Sequence, residues 1–334
     1  MPLAGTCWKK KNKKMKINIS TYFTIRLAIL AVVSMSLVGC SGSSNSKGDS
    51  SAHAESELIT VQHKFGELSV PLNPERTVAL DIGAIETMIA LGVKPLGIPK
   101  KFLPDYLGDM RDDAAIGDVG SVIEPDFEAI AALKPQLIFI SVRQERFYEE
   151  LREIAPTVYI GADTKDYLPS FQRNVELIGR IYGKKELALG KLAALQTKIS
   201  QARSRYASDE NKAMFVIYNN GKFSAFGKGS RFGFIHDVLG IKPVLDFDDE
   251  SVHGQRISGE FIAEANPDYL FIVDRNAAVL GRVANKQEVE NKLVMQTAAY
   301  RNGKVFYLDP NVWFISGGGL ISVELMVDDI LELI

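Results

Sequence analysis

The chain has 334 residues, 46% of them apolar and 24% charged, which exceeds what one simple domain needs and suffices for well-formed cores. A formal net charge of -2 argues against a nucleic-acid partner. Two cysteines, Cys7 and Cys40, leave no disulfide framework to build on.

The N-terminus reads as an export signal. Lys9, Lys10, Lys11, Lys13, Lys14, Lys16 and Arg26 form a basic stretch, and an apolar run follows from Leu27 to Val38. That run is shorter than the roughly 20 residues a membrane span requires. It ends in Leu37-Val38-Gly39-Cys40, which resembles a bacterial lipobox. Residues 1–39 therefore read as a signal peptide, with Met15 as an alternative start, and Cys40 as the lipidated first residue of the mature chain. Residues 40–57, rich in Ser, Gly, Ala and Asn, read as a flexible tether. Cleavage removes six lysines, one arginine and no acids, leaving a mature charge of about -9. The expected location is the outer face of the cell membrane, held by lipid and facing the periplasm or the exterior.

From there the elements come in two related sets. Leu58 to Val70 alternates around Gly66 and predicts a strand pair. Thr77 to Leu80 is a buried strand, and Ile85, Met88, Ile89 and Leu91 mark one face of a helix that Gly92 stops. Val93 to Ile98 predicts the next strand. Phe127 to Leu133 is a helix, Lys134-Pro135-Gln136 a turn, and Leu137 to Ile140 a strand. Ser170 to Tyr206 has helical spacing with a stripe of Leu187, Leu189, Leu192, Leu195 and Ile199, locally weakened by Gly179, Gly183 and Gly190. The earlier pattern then returns: Met214 to Tyr218 as a strand, a helix with Phe234, Val238 and Leu239 stopped by Gly240, and Leu239-Gly240-Ile241-Lys242-Pro243 echoing Leu91-Gly92-Val93-Lys94-Pro95. Phe261 to Ala265, Asn266-Pro267-Asp268 and Tyr269 to Val273 repeat the helix–proline–strand unit. The expected fold is α/β, with two Rossmann-like lobes, residues 58–168 and 207–334, joined by one long helix over 169–206.

Ligands of open α/β sheets bind beyond the carboxyl ends of the strands. Arg143 and Arg275 occupy equivalent places there, each eight residues after its turn proline, Pro135 and Pro267. The segment Gly227-Lys228-Gly229-Ser230-Arg231-Phe232-Gly233 adds a flexible loop without Walker spacing. His253-Gly254-Gln255-Arg256 brings a histidine suited to metals and a further arginine. Trp313 and Phe314, ahead of Gly317-Gly318-Gly319, either line a cleft mouth or form a core aromatic pair.

With these residues in place the chain resembles the binding proteins of siderophore and cobalamin ABC transporters, a class III periplasmic binding protein family. Arg143, Arg231, Arg275, His253 and Asp309-Pro310-Asn311-Val312-Trp313 resemble its catecholate and mixed-ligand branch, of the anguibactin, acinetobactin, enterobactin and petrobactin kind. The resemblance implies a monomeric carrier with no cofactor beyond the lipid on Cys40. Such a carrier would capture a ferric siderophore with the arginine triad, Arg256, Trp313 and Phe314 and deliver it to an ABC permease. It also implies iron ligation by a histidine, here His253, and a tyrosine, but the tyrosine position is Phe314. Phenylalanine has no phenolate, so His253 would ligate alone or the siderophore would fill the iron shell by itself. An exposed acid on each lobe would meet the permease; Glu86 and Asp237 are the candidates.

Other classes fit less well. Four histidines, one of them His53 in the tether, are too few for a zinc or manganese carrier. No Gly-x-Ser-x-Gly or His-Glu-x-x-His motif marks an enzyme. A haem or cobalamin carrier of the same fold, stacking Trp313, Phe314 and Tyr218 on a flat macrocycle, is the alternative.

Overall fold

The computed structural model describes residues 57–101, 103–246 and 254–334. The signal, Cys40, most of the tether and His253 lie outside them.

The first sheet follows from short apolar runs that are buried on both faces. β1 (Leu58–His63) and β2 (Gly66–Pro71) form an antiparallel hairpin, with Gly66 at φ 111° opposite His63. β3 (Thr77–Ala79), α1 (Ile82–Ala90), β4 (Gly97–Ile98), α2 (Gly108–Arg111), β5 (Gly117–Asp118), α3 (Phe127–Ala132), β6 (Leu137–Ile140), α4 (Tyr148–Ile154) and β7 (Thr157–Tyr159) follow. The five strands from β3 to β7 form a parallel sheet in the order β5-β4-β3-β6-β7. The strand expected over 93–98 shrinks to Gly97–Ile98, because Gly92 and the backbone bond from Val93 N–H to the Met88 carbonyl spend the preceding residues on closing α1.

The second lobe builds β8 (Lys212–Asn219), β9 (Lys222–Phe226), α7 (Phe234–Asp237), β10 (Lys242–Pro243), β11 (Gln255–Ile257), α8 (Gly259–Ala265), β12 (Tyr269–Asp274), α9 (Arg275–Leu280), α10 (Lys286–Val289), α11 (Ala298–Arg301) and β13 (Val305–Tyr307). Its sheet runs β11-β9-β8-β12-β13, with β10 also on β8. β8, β12 and β13 are parallel, while β9 and β11 extend the edge antiparallel. Both helix–proline–strand units end their helix on a left-handed residue before the proline, Lys134 at φ 46° and Asn266 at φ 47°.

Between the lobes the structure departs from one continuous helix. α5 (Tyr167–Ile181) and α6 (Lys185–Tyr206) are separate, because Gly183 turns left-handed at φ 60° and Lys184 N–H bonds back to the Gly179 carbonyl. α5 and α6 pack together so closely that a Cβ on Gly179 would lie 2.6 Å from that of Ala188. The buried stripe of α6 is Ala188, Leu192, Leu195, Ile199, Ala202 and Tyr206, and Leu187 is exposed.

The chain finishes with a π-helical turn (Asn311–Ile315) and α12 (Leu320–Leu333), which packs on both α1 and α6. Strand residues alternate between faces. Ala79, Phe139, Phe215 and Phe271 point into one core shared by both lobes, together with residues of α5, α6 and α12. Val78 and Ile138 face an outer cluster of lobe one, and Met214, Val216 and Leu270 one of lobe two. The lobes therefore meet through two connections, α6 and the crossover at residues 316–319. Among the described residues no helix is long and apolar enough to cross a membrane.

Candidate ligand site

The geometry starts with how three arginines are presented. Arg143 follows β6 on a turn that the buried Gln144 ties down: its Oε1 accepts the Ser141 N–H at 3.0 Å and its Nε2 donates to the Val122 carbonyl. Arg275 is the first residue of α9. Asp274 caps that helix, its carboxylate accepting Asn276 N–H at 2.9 Å and Ala284 N–H at 2.5 Å. Arg231 sits on the glycine-rich loop. Gly229 there adopts φ 67°, and Ser230 Oγ donates to the Gly227 carbonyl at 2.6 Å.

All three meet at Phe314. Arg143 Nη2 and Arg231 Nη2 both donate to the Phe314 carbonyl, at 3.2 and 2.9 Å, and Arg143 Nη1 donates to the Ile315 carbonyl at 2.9 Å. The guanidinium carbons of Arg231 and Arg275 lie 5.1 and 5.8 Å from the Phe314 ring centroid, within cation–π range. Phe232 stacks on the same ring at 6.2 Å and 14°. The carbonyls belong to the end of the π-helical turn, where backbone acceptors lack helical partners and attract cations. Burial, and the Arg143 charge beside it, pull Arg231 down to about 10, and burial lowers Arg143 as well. Arg231 remains protonated near neutral pH. Arg143 comes from lobe one, Arg231 and Arg275 from lobe two, so the cluster spans the lobes at the crossover.

The other expected site residues fall elsewhere. Trp313 is not at a cleft mouth. It is 2% exposed, packs on Phe215 and Phe234, and donates from Nε1 to Asp329 at 2.8 Å. Successive residues of a helical turn point in different directions, which sends Trp313 into the core and leaves Phe314 half-buried among the arginines. Tyr218 lies in the outer cluster of lobe two, on the other face of its sheet from Phe215, so it and Trp313 offer no common stacking surface for a macrocycle. Arg256 is exposed on β11 opposite Ser224 and makes none of the contacts of the other three.

The acids also differ from expectation. Glu86 is fully buried rather than presented on an open helix face, because α12 and the crossover cover that side of α1. Asp237 is exposed, but its carboxylate accepts the Gly229 N–H at 2.8 Å and thus braces the loop that carries Arg231. Sequence reading gave no weight to Ser316, Tyr106 or Tyr167, which bond around the crossover. Their one available signal is the glycine run beginning at Gly317.

Among the described residues no group of three or more His, Cys, Asp or Glu is placed to hold a metal ion. His63 accepts the Tyr159 N–H through Nδ1, and His236 is buried with Nδ1 at 2.8 Å from the Ile241 carbonyl. The arginine cluster is therefore chemistry for an anion rather than for a bare cation. A separate cavity of about 330 Å³ lies at the ends of β8 and β12, lined by Tyr218, Asn220, Asn276, Arg282 and Glu288 among others.

Comparison with known proteins agrees with a carrier. The Periplasmic binding protein family profile matches residues 77–312. The petrobactin-binding protein YclQ of Bacillus subtilis is 40% identical over 91% of this chain and 96% of its own length. Its crystal structure superposes with a TM-score of 0.80 at 41% identity, covering 83% of this chain and 98% of that one. The ferric-anguibactin-binding protein FatB of Vibrio anguillarum is 35% identical over 92% of this chain and 98% of its own length. The siderophore-binding protein BauB, solved with two acinetobactin molecules and ferric iron, has a TM-score of 0.77 at 35% identity, covering 82% of this chain and 97% of that one.

Proposed function

The chain belongs to the periplasmic binding protein family, and from that premise we propose that it captures a ferric siderophore between its lobes and delivers it to an ABC permease for iron uptake. It is a substrate-binding transport protein, not an enzyme. The observation that carries the ligand reading is the convergence of Arg143, Arg231 and Arg275 on Phe314. Ferric catecholates and related chelates carry negative charge, and arginine offers a permanent charge with several planar donors. In a mature chain of about -9 net charge, a cationic site must be assembled locally, which this cluster does. The ligands named for its relatives, petrobactin, anguibactin and acinetobactin, are the chelates this reading puts first for testing.

In this reading the guanidinium edges turned away from the carbonyls hold the anionic chelate, and Phe314 packs against an aromatic part of it. Phe314 donates no oxygen to iron. The siderophore therefore brings a complete iron shell or needs only His253. The signal and lipobox support anchoring through Cys40 outside the membrane; the proposed carrier acts there as a monomer.

Ligand titration tests the reading. Trp313 is the one tryptophan left after cleavage at Cys40, and its fluorescence should be quenched by at least one of ferric petrobactin, ferric anguibactin and ferric acinetobactin. Haem and cobalamin should leave it unchanged; tight binding of either, with none of the three ferric chelates bound, overturns the proposal. Arg143→Ala, Arg231→Ala and Arg275→Ala should each weaken binding by about 1.5–3 kcal/mol, the scale of a charged hydrogen bond.

A further inference from the structure

Glu86 is a buried carboxylate that ligand contact does not explain. It stands on α1 and is 0% exposed. Its Oε1 accepts from Tyr106 Oη at 2.6 Å and from Ser316 Oγ, and its Oε2 accepts the Ser322 N–H at 2.7 Å. Burial pushes its pKa up, while these donors pull it down. Burying an ionisable group is costly unless its donors do something an apolar side chain cannot.

What they do is close the crossover between the lobes. The N-cap of α12 is Gly319, which has no side chain to accept the first-turn N–H groups. Glu86 supplies that acceptor from another helix, at the positive end of a 14-residue helix. Gly319 cannot supply its own, because a Cβ there would lie 2.5 Å from Glu86 Oε2 and from the Gly83 carbonyl oxygen. A Cβ on Gly83 would likewise lie 2.6 Å from the Gly318 carbonyl. On the other side Tyr167 Oη donates to the Gly317 carbonyl at 2.5 Å. The crossover is thus clamped between α1 and α5.

Ser316, held by Glu86, is bonded covalently to Ile315, whose carbonyl receives Arg143. Phe314 precedes it, and its carbonyl receives both Arg143 and Arg231. We propose that Glu86 is a positioning residue for ligand capture: by pinning the crossover it fixes the two carbonyls that aim Arg143 and Arg231 at the ligand. The inference rests on the reading of the arginine cluster as the ligand site. Without the clamp, the carbonyl that sits between two like charges is free to move, and the guanidinium groups lose the acceptor that lets them stay close.

A double-mutant cycle tests it, with the ferric siderophore that the wild-type chain binds best among ferric petrobactin, ferric anguibactin and ferric acinetobactin. Glu86→Gln keeps the volume and removes one acceptor oxygen. It should weaken binding about tenfold in the wild-type background and less than about twofold in the Arg143→Ala background, since coupled groups are non-additive. Ser316→Ala, which cuts the same link from the other side and buries no new polar atom, should weaken binding about threefold. Ser316→Ala also serves as the test if Glu86→Gln does not fold, as judged by urea denaturation. Equal losses in both backgrounds, or unchanged affinity in a folded Glu86→Gln or Ser316→Ala, overturn the inference while leaving the siderophore reading intact. A wild-type chain that binds none of the three chelates overturns both.

Discussion

Arg143 and Arg231 share one acceptor, the Phe314 carbonyl, and that sharing is what permits two guanidinium groups to stand side by side in a partly buried place. Repulsion between them is visible in the depressed pKa of Arg231, about 10, to which the Arg143 charge contributes after burial. The ring of Phe314 lies under Arg231 and Arg275, so its chemistry is the easiest to change. Phe314→Tyr would place a phenol where two guanidinium groups favour its ionised form. The expected result is a visible tyrosinate-to-iron charge-transfer band when the variant binds a tetradentate ferric chelate, with no such band in the wild type. If neither affinity nor spectrum changes, the position does not face the metal. Asp329 offers a second residue-level test. Burial raises its pKa to about 6, although the Trp313 Nε1–H opposes the shift. Between the ordinary aspartate range and about pH 6, the folded chain keeps a proton that the unfolded chain has released. Asp329's contribution to stability therefore declines as pH rises through that window and is level above it. Asp329→Asn keeps an acceptor for Trp313 without the charge. In urea denaturation its stability relative to wild type should rise by on the order of 1 kcal/mol between pH 4 and pH 7. A constant difference across that range would count against the buried charge.

At the scale of elements, the two helix–proline–strand units carry more than a repeated fold. α3 and α8 each present an exposed acid in the first turn, Glu128 and Glu260. Each stands seven residues before its turn proline, Pro135 or Pro267. Glu86 is enclosed and the Asp237 carboxylate is engaged with its own loop, so we propose these equivalent acids in their place as the docking pair for the permease. Charge reversal of both, Glu128→Lys with Glu260→Lys, should abolish iron uptake in cells while leaving siderophore affinity within about twofold. Normal uptake in that variant would remove them from the docking surface. Close packing of α1 against the crossover makes a further element-level prediction. Gly83→Ala forces a methyl into the Gly318 carbonyl, and overpacking of this kind should cost about 1–3 kcal/mol in urea denaturation.

Among the described residues, the five-stranded and six-stranded sheets share one core, with α6 and the 316–319 crossover running between them. α6 is held against α12 by Lys198, which pairs with Glu324 at 2.6 Å and Asp328 at 3.0 Å, and by Tyr206 Oη on the Ile330 carbonyl. Those exposed ion pairs contribute little singly. The apolar stripe beneath them holds the helices together. At this scale the proposed lipid attachment at Cys40 is the remaining test. Cys40→Ala should release the protein from the membrane fraction without altering siderophore affinity, read by fractionation and by titration. Retention in the membrane would instead mean that the Leu27–Val38 run stays as an uncleaved anchor.

The sequence by itself determined the elements whose signal is local. Short apolar runs became β3, β6, β8 and β12, and Gly92 and Gly240 stopped their helices with positive φ. The matched spacing of Arg143 and Arg275 behind two prolines placed both at strand ends facing one site. Helical periodicity named the inward face of α1, but it could not say that α12 would cover the opposite face and enclose Glu86, since that contact joins residues 236 positions apart. Nor could it choose between Trp313 and Phe314: a π-helical turn sent one ring to the core and the other to the arginines. The break between α5 and α6 needed Gly183 to turn and Gly179 to admit Ala188, a helix–helix packing decision rather than a propensity. Local periodicity records which residues avoid water; only tertiary structure decides which distant segment excludes that water, and so which charges are buried, paired or left to bind.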